Sequence, residues 1–187
     1  MTNPNLEQFS YQEPIQPRAA RTFALILKTS LAIIERESID ALNTNKVAKE
    51  SGINISTLYR YFPNKDSIIY TLYKQWFDRV ATITNRHRLS LSPGMNQRKM
   101  YASIVEDILN IDGFSPKAAV ALEQAIKVRA ELAPYDKYIT ELSLEFYAGV
   151  LVELGADASE AEIIIAASFM LMSVWGAIAL AADSSRD

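Results

Sequence analysis

The chain has no cysteine and a single histidine, His87. Without thiols it forms no disulfides and no thiolate zinc site, and a reducing compartment fits it best. One imidazole cannot build a Cys/His metal site, so neither a metal nor a cofactor is expected. GxGxxG and P-loop patterns are absent. A Ser-His-Asp site would have to use His87, which stands between Arg86 and Arg88 in a basic helical stretch with no nucleophile signature. A solvated helix position is the expected place for it. Adjacent carboxylates such as Glu106 and Asp107 diverge around a helix, so they do not form an acid–base pair. These absences argue against an enzyme. The opening MTNPNLEQFSYQEPIQP lacks an apolar signal core and reads as a flexible leader, residues 1–17, of a cytoplasmic protein.

Positive charge is scarce overall but unevenly spread. The chain of 187 residues has a net charge of −3, yet residues 18–90 hold 12 Lys/Arg against 6 Asp/Glu, while residues 91–187 hold 7 against 14. A basic half joined to an acidic half suggests two tasks, the basic one facing phosphates. Charge counts alone leave a chance asymmetry open.

Nearly all of the chain has helical periodicity. Phe23, Leu25, Ile26, Leu27, Leu31, Ile33 and Ile34 form one broad apolar stripe. No run alternates long enough to suggest a strand. Breaks at Ser51-Gly52, Phe62-Pro63, Ser92-Pro93-Gly94, Asp112-Gly113, Ala133-Pro134 and Leu154-Gly155 divide the chain into about nine helices. The expectation is an all-α protein: a three-helix domain over residues 18–66 continuous with a helical bundle over residues 67–187. A long helix from about Lys65 to Leu89 joins the two without a flexible linker.

Residues 44–65 carry the sharpest local pattern. Thr44 is a good N-cap for a helix Asn45–Ser51, Val47 and Ala48 give it a small apolar face, and Gly52 suits the left-handed position that ends it. Asn54 caps a second helix, Ile55–Tyr61, which Phe62-Pro63 terminates. Asn64 caps a third, beginning at Lys65. Two short helices joined by a glycine turn form the unit that lays its second helix in the DNA major groove. Arg60 can read guanine, and tyrosine hydroxyls and Lys65 can hold phosphates. The competing reading is a plain helical hairpin with a solvated polar face.

The run LNTNKVAKESGINISTLYRYFPNKDSII, preceded by a helix from Arg21 to Glu37, closely resembles the N-terminal signature of TetR/AcrR-type transcriptional regulators over about residues 18–70. The resemblance implies that Thr44, Thr57, Tyr59 and Lys65 contact phosphates or base edges. It makes Ile55, Ser56, Arg60 and Tyr61 variable recognition-helix positions. Ile55 and Ser56 stand where many members have a Lys-Gly or similar pair, and Asn45 where a basic residue is common. Much of the DNA affinity would then come from Lys46, Arg60, Lys65 and dimerisation, with Ile55 reading thymine methyls.

Beyond residue 70 the resemblance is generic. It implies an aromatic- and methionine-lined cavity for a small effector, with Trp76, Phe77, Met100, Tyr101, Ile104, Gln124, Tyr138 and Phe146 as candidates. Ordinary core is the competing reading for each. Ile163–Ala182 holds twenty residues without a charge, long enough to span a bilayer. It lacks flanking Lys or Arg, and small residues dilute its hydrophobicity, so burial between helices is the expectation and a membrane-anchored protein the alternative. Its small residues permit close approach of a second copy, and family members usually dimerise through their last two helices. Phe146, Val150, Ala166, Phe169, Met170, Ser173, Gly176 and Ala177 are the candidates for a homodimer interface. The expected function is a DNA-binding regulator, a repressor as the resemblance implies, released from its operator by an apolar or amphipathic ligand; a dimer that senses no ligand is the runner-up.

Overall fold

Helix α1 begins on a proline, whose fixed φ and missing N–H suit a first turn. It runs Pro17–Arg36 and buries Phe23, Ile26, Leu27, Ser30, Ile33 and Ile34 along one stripe. The computed structural model describes Phe9, Pro14, residues 16–91 and residues 96–184. In it α1 is followed by α2 (Thr44–Ser51), α3 (Ile55–Tyr61), α4 (Lys65–Leu89), α5 (Gln97–Leu109), α6 (Pro116–Lys127), a short 3-10 turn (Ala130–Leu132), α7 (Ala133–Glu153) and α8 (Glu160–Ser184). No strand occurs among the described residues. The break at Ser92-Pro93-Gly94 lies outside them, as does most of the leader. Phe9 is an exception: it is buried against Tyr70, ring centroids 6.1 Å apart, so this leader residue is part of the core.

Local chemistry sets the helix ends. Gly52, Gly113 and Gly155 all adopt positive φ at helix exits. Asn64 and Ser67 make a reciprocal capping box at the start of α4. Asn43, not Thr44, caps α2, its side chain accepting from the Lys46 amide at 2.9 Å. Both residues are good cappers, and helix α2 starts one residue earlier than the sequence pattern implies.

The first three helices share one apolar cluster with the bundle, running from Phe23 through Leu58, Phe62, Tyr73 and Trp76 to Val174 and Ile178. Phe62 stacks on Phe23 at 5.0 Å and closes the three-helix head. Helix α6 packs against α1, α4, α7 and α8. It is tied to the head at both ends. The Lys117 ammonium donates to the Glu35 carbonyl at 2.6 Å, and the Ser115 amide to the Glu35 carboxylate at 3.3 Å. At the far end, Arg129 pairs with Asp66, in the first turn of α4, at 2.6 Å.

The far end of α4 is cross-linked to the bundle. Arg88 pairs with Glu153 of α7, and His87 Nε2 lies 2.7 Å from Asp107 of α5. His87 is therefore not solvated as expected; its side chain is 15% exposed and engaged with Asp107. The sequence shows its basic neighbours on α4 but not the carboxylate that α5 brings over.

Candidate nucleic-acid interface and internal cavity

The turn between α2 and α3 is built from backbone and asparagine. The Ile53 amide bonds back to the Ala48 carbonyl at 3.1 Å, and Asn54 accepts from the Ser56 amide at 2.9 Å. Leu58, fully buried, is the apolar pin under α3. That fixes the rotation of α3 and so decides which side chains face out.

Ser56, Tyr59 and Arg60 lie on the exposed side, as does Asn45 on α2. Tyr59 is 49% exposed, and its hydroxyl lies 3.1 Å from the Thr44 hydroxyl, linking the two helices at the outer surface. The pair presents two hydroxyls that can meet a phosphate together. Thr57 and Lys65 are half-buried beside this surface.

Four of the candidates are engaged by neighbouring parts of the chain itself. Ile55 is half-buried against the core, which leaves only part of it free for a thymine methyl. Tyr61 packs edge-on to Phe23 at 6.1 Å, with the Arg60 guanidinium over its ring at 5.9 Å. Lys46 is ion-paired with Glu37, itself bound by Arg36, which also reaches Glu50 at 2.9 Å. The Lys46 ammonium, then Arg36, hold the Glu37 carboxyl below its usual range, so it stays ionised. Glu37 takes one of the three N–H donors of the Lys46 ammonium and offsets its charge. The Ser56 hydroxyl is likewise spent on the Asn54 side chain at 2.8 Å.

Behind the head, α4, α7 and α8 enclose a hollow of about 350 Å³. Trp76, Phe77 and Phe146 line it as expected, joined by Tyr73, Val80, Ala81, Thr84, Asn85, Arg88, Ser143, Tyr147 and Trp175. Met100 and Tyr101 line a separate open cleft with Leu151, Leu154 and Phe169. The Tyr101 hydroxyl donates to the Met170 carbonyl at 2.9 Å and so ties α5 to α8. Ile104 is core, Gln124 is exposed, and Tyr138 packs on Tyr135 at 6.4 Å; none of the three lines the hollow. The wall residues that sequence reasoning missed follow a readable signal on α4: positions 73, 76, 77, 80, 81, 84 and 88 recur at helical spacing, with small Ala81 leaving room.

Helix α8 buries Ala167, Val174, Ile178 and Ala182 on one side only. On the other, Ile165 is 57% exposed, Phe169 and Met172 66%, and Leu180 71%. Among the expected interface residues, Phe169, Ser173 and Gly176 lie on this bare stripe; Ala166, Met170 and Ala177 flank it half-buried. Val150 is instead buried within the chain and Phe146 faces the hollow. Contiguous apolar surface of this kind marks an interaction site.

Residues 26–70 match the model of the family described as bacterial regulatory proteins, tetR family. The chain is 25% identical over 137 residues to an uncharacterized HTH-type transcriptional regulator, YuxN, of Bacillus subtilis (strain 168), covering 73% of this chain and 46% of the relative. Over 65 residues it is 32% identical to the HTH-type transcriptional repressor KstR of Mycolicibacterium smegmatis, 35% of this chain and 32% of the relative. The chain thus spans less than half the length of these curated relatives. Its fold is shared with a solved TetR-family transcriptional regulator from Agrobacterium tumefaciens, TM-score 0.68 at 15% identity, covering 87% of this chain and 88% of that one.

Proposed function

We propose that the chain is a member of the tetR family of bacterial regulatory proteins, whose model residues 26–70 match, and that it is a cytoplasmic, DNA-binding transcriptional regulator and not an enzyme. The observation that carries this reading is the outward face of α3. There Tyr59 and Arg60 project from a helix whose rotation is fixed by buried Leu58. In this reading Thr44, Tyr59 and Lys65 position the chain on phosphates, and Arg60 reads a base edge.

Two copies would join through the bare stripe of α8 with α7 beside it, a four-helix arrangement that covers Ile165, Phe169, Met172 and Leu180. A two-fold dimer presents two α3 helices to half-sites about one helical turn apart. The same stripe makes α8 long and apolar enough to cross a membrane. Its other face is packed on α6 and α7, which favours a helical partner over lipid.

The hollow between α4, α7 and α8 is the proposed effector site. Its wall includes α4, which begins at Lys65 in the DNA-binding surface. A ligand that prefers a different setting of α4 shifts the spacing of the two heads and releases the operator, by no more than its differential affinity allows. Helix α6, strapped to Glu35 and Asp66, would carry the shift to both α1 and α4.

A gel-shift titration against genomic fragments tests the DNA reading. The wild type is expected to retard specific fragments that a Tyr59→Ala, Lys65→Ala double variant does not. Equal binding by the two proteins would sink it.

A further inference from the structure

We infer that the hollow between α4, α7 and α8 takes an amphipathic organic cation, an inference that rests on its being the effector site. Three features of the wall converge on this chemistry.

The first is its aromatic content. Tyr73, Trp76, Phe77, Phe146, Tyr147 and Trp175 surround the space, and the two indoles lie 5.2 Å apart, tilted by 38°. Indole faces attract cations more strongly than other side-chain rings do, and more so where water is excluded. The second is the state of the one basic group. Arg88 lines the hollow but is already held by Glu153, with Nε 3.0 and 3.1 Å from the two carboxylate oxygens. This pairing pulls the Glu153 carboxyl below its usual range, so the ion pair persists at neutral pH. An incoming anion would have to compete with it.

The third is a surplus of carboxylate. Glu145 lines the same hollow and forms no ion pair among the described residues. A second hollow, of about 320 Å³, shares the wall made by Tyr73, Ile139, Ser143, Leu171 and Trp175. It holds Asp136, also without an ion pair among the described residues, and Glu123, which Lys127 neutralises. Every cation lining the two spaces is thus paired, while two carboxylates are not. Tyr73 lines both hollows. Burial first, then the fields of Glu123 and Asp136, push its ionisation upward, so it stays a neutral hydroxyl. No side chain among the described residues satisfies that hydroxyl, leaving its oxygen free to accept an N–H from a ligand.

Calorimetry on the full chain with three probes of one shape tests the inference: 2-(2-naphthyl)ethylamine, 2-(2-naphthyl)ethanol and 2-naphthylacetate, at neutral pH. The amine is expected to bind about tenfold tighter than the alcohol, and the acetate more weakly than either. In a Glu145→Gln, Asp136→Asn double variant the amine-to-alcohol ratio should narrow to about threefold or less. An acetate that binds as well as the amine, or a ratio unchanged in the double variant, overturns the inference. If the alcohol binds without any cation preference, the cavity reading stands and only the charge assignment falls. If none of the three binds, both fall.

Discussion

Between Thr44 and Arg60 the side chains that face outward are polar: Asn45, Ser56, Tyr59 and Arg60. Between Ile164 and Leu180 they are mostly apolar, with Ile164, Ile165, Phe169, Met172 and Leu180 set among smaller Ser173, Gly176 and Ala179. The head spends its apolar residues inward, on Leu58, Phe62 and Val47, and leaves hydrogen-bonding groups for a hydrated, charged partner. The bundle keeps one apolar face bare and an apolar hollow inside. The difference shows what each region needs to finish its structure. The outer face of the head offers hydrogen-bonding groups, of the kind that suit phosphates in the proposed function, while the bundle has apolar surface that another protein chain can cover.

The largest expected effect comes from breaking the head. Phe62 is fully buried and stacks on Phe23, so Phe62→Ala should cost roughly 3–5 kcal/mol of stability by chemical denaturation. One cluster joins head and bundle, so the loss should shift a single transition. A separate early transition would mean that the two regions are independently stable. A charge on the bare face comes next. Phe169→Asp should weaken self-association by at least about tenfold in sedimentation, with folding intact because the ring is 66% exposed. Unchanged mass would show that another surface holds the copies together.

Asn64→Ala removes the capping box at the joint between the regions and should cost about 1 kcal/mol. Thermal melting checks this, and a smaller loss at Asn64 than at Asn43 would argue that the joint is held by packing. The smallest effect is electrostatic. The His87 hydrogen bond, then the charge of Arg86, hold the Asp107 carboxyl below its usual range. A depressed folded value gives stability that is present above the ordinary carboxylate range and is lost as pH falls through the lowered value. Wild-type stability should therefore fall slightly more steeply than that of Asp107→Asn between about pH 5 and pH 2. Parallel curves would show that the link between α4 and α5 contributes nothing.

The head was largely legible in the sequence, because its determinants are local. Gly52, Asn54, Asn64 and the span of α4 follow from capping and turn chemistry within a few residues. The shift of the α2 cap from Thr44 to Asn43 is the kind of error that two adjacent capping residues invite. The ion pair of Lys46 is not legible for a different reason: its partner Glu37 is brought in from the end of α1. The hollow was only partly legible. Trp76, Phe77 and Phe146, candidates by residue type, line the hollow, but Gln124, Met100 and Tyr101 lie elsewhere. On helices with apolar residues all round, periodicity cannot say which face meets a void, since packing among α4, α7 and α8 sets the rotation. Val150 and Phe169 show the same point on adjoining helices, one buried in the chain and the other bare.

In the proposed function α3 reads DNA from a dimer. Nuclease footprinting of retained genomic fragments tests it most directly. The account predicts protection over two half-sites with centres about one helical turn apart, lost in the Tyr59→Ala, Lys65→Ala variant and weakened in Phe169→Asp. Protection that survives the double variant unchanged, or none above that variant, would contradict it.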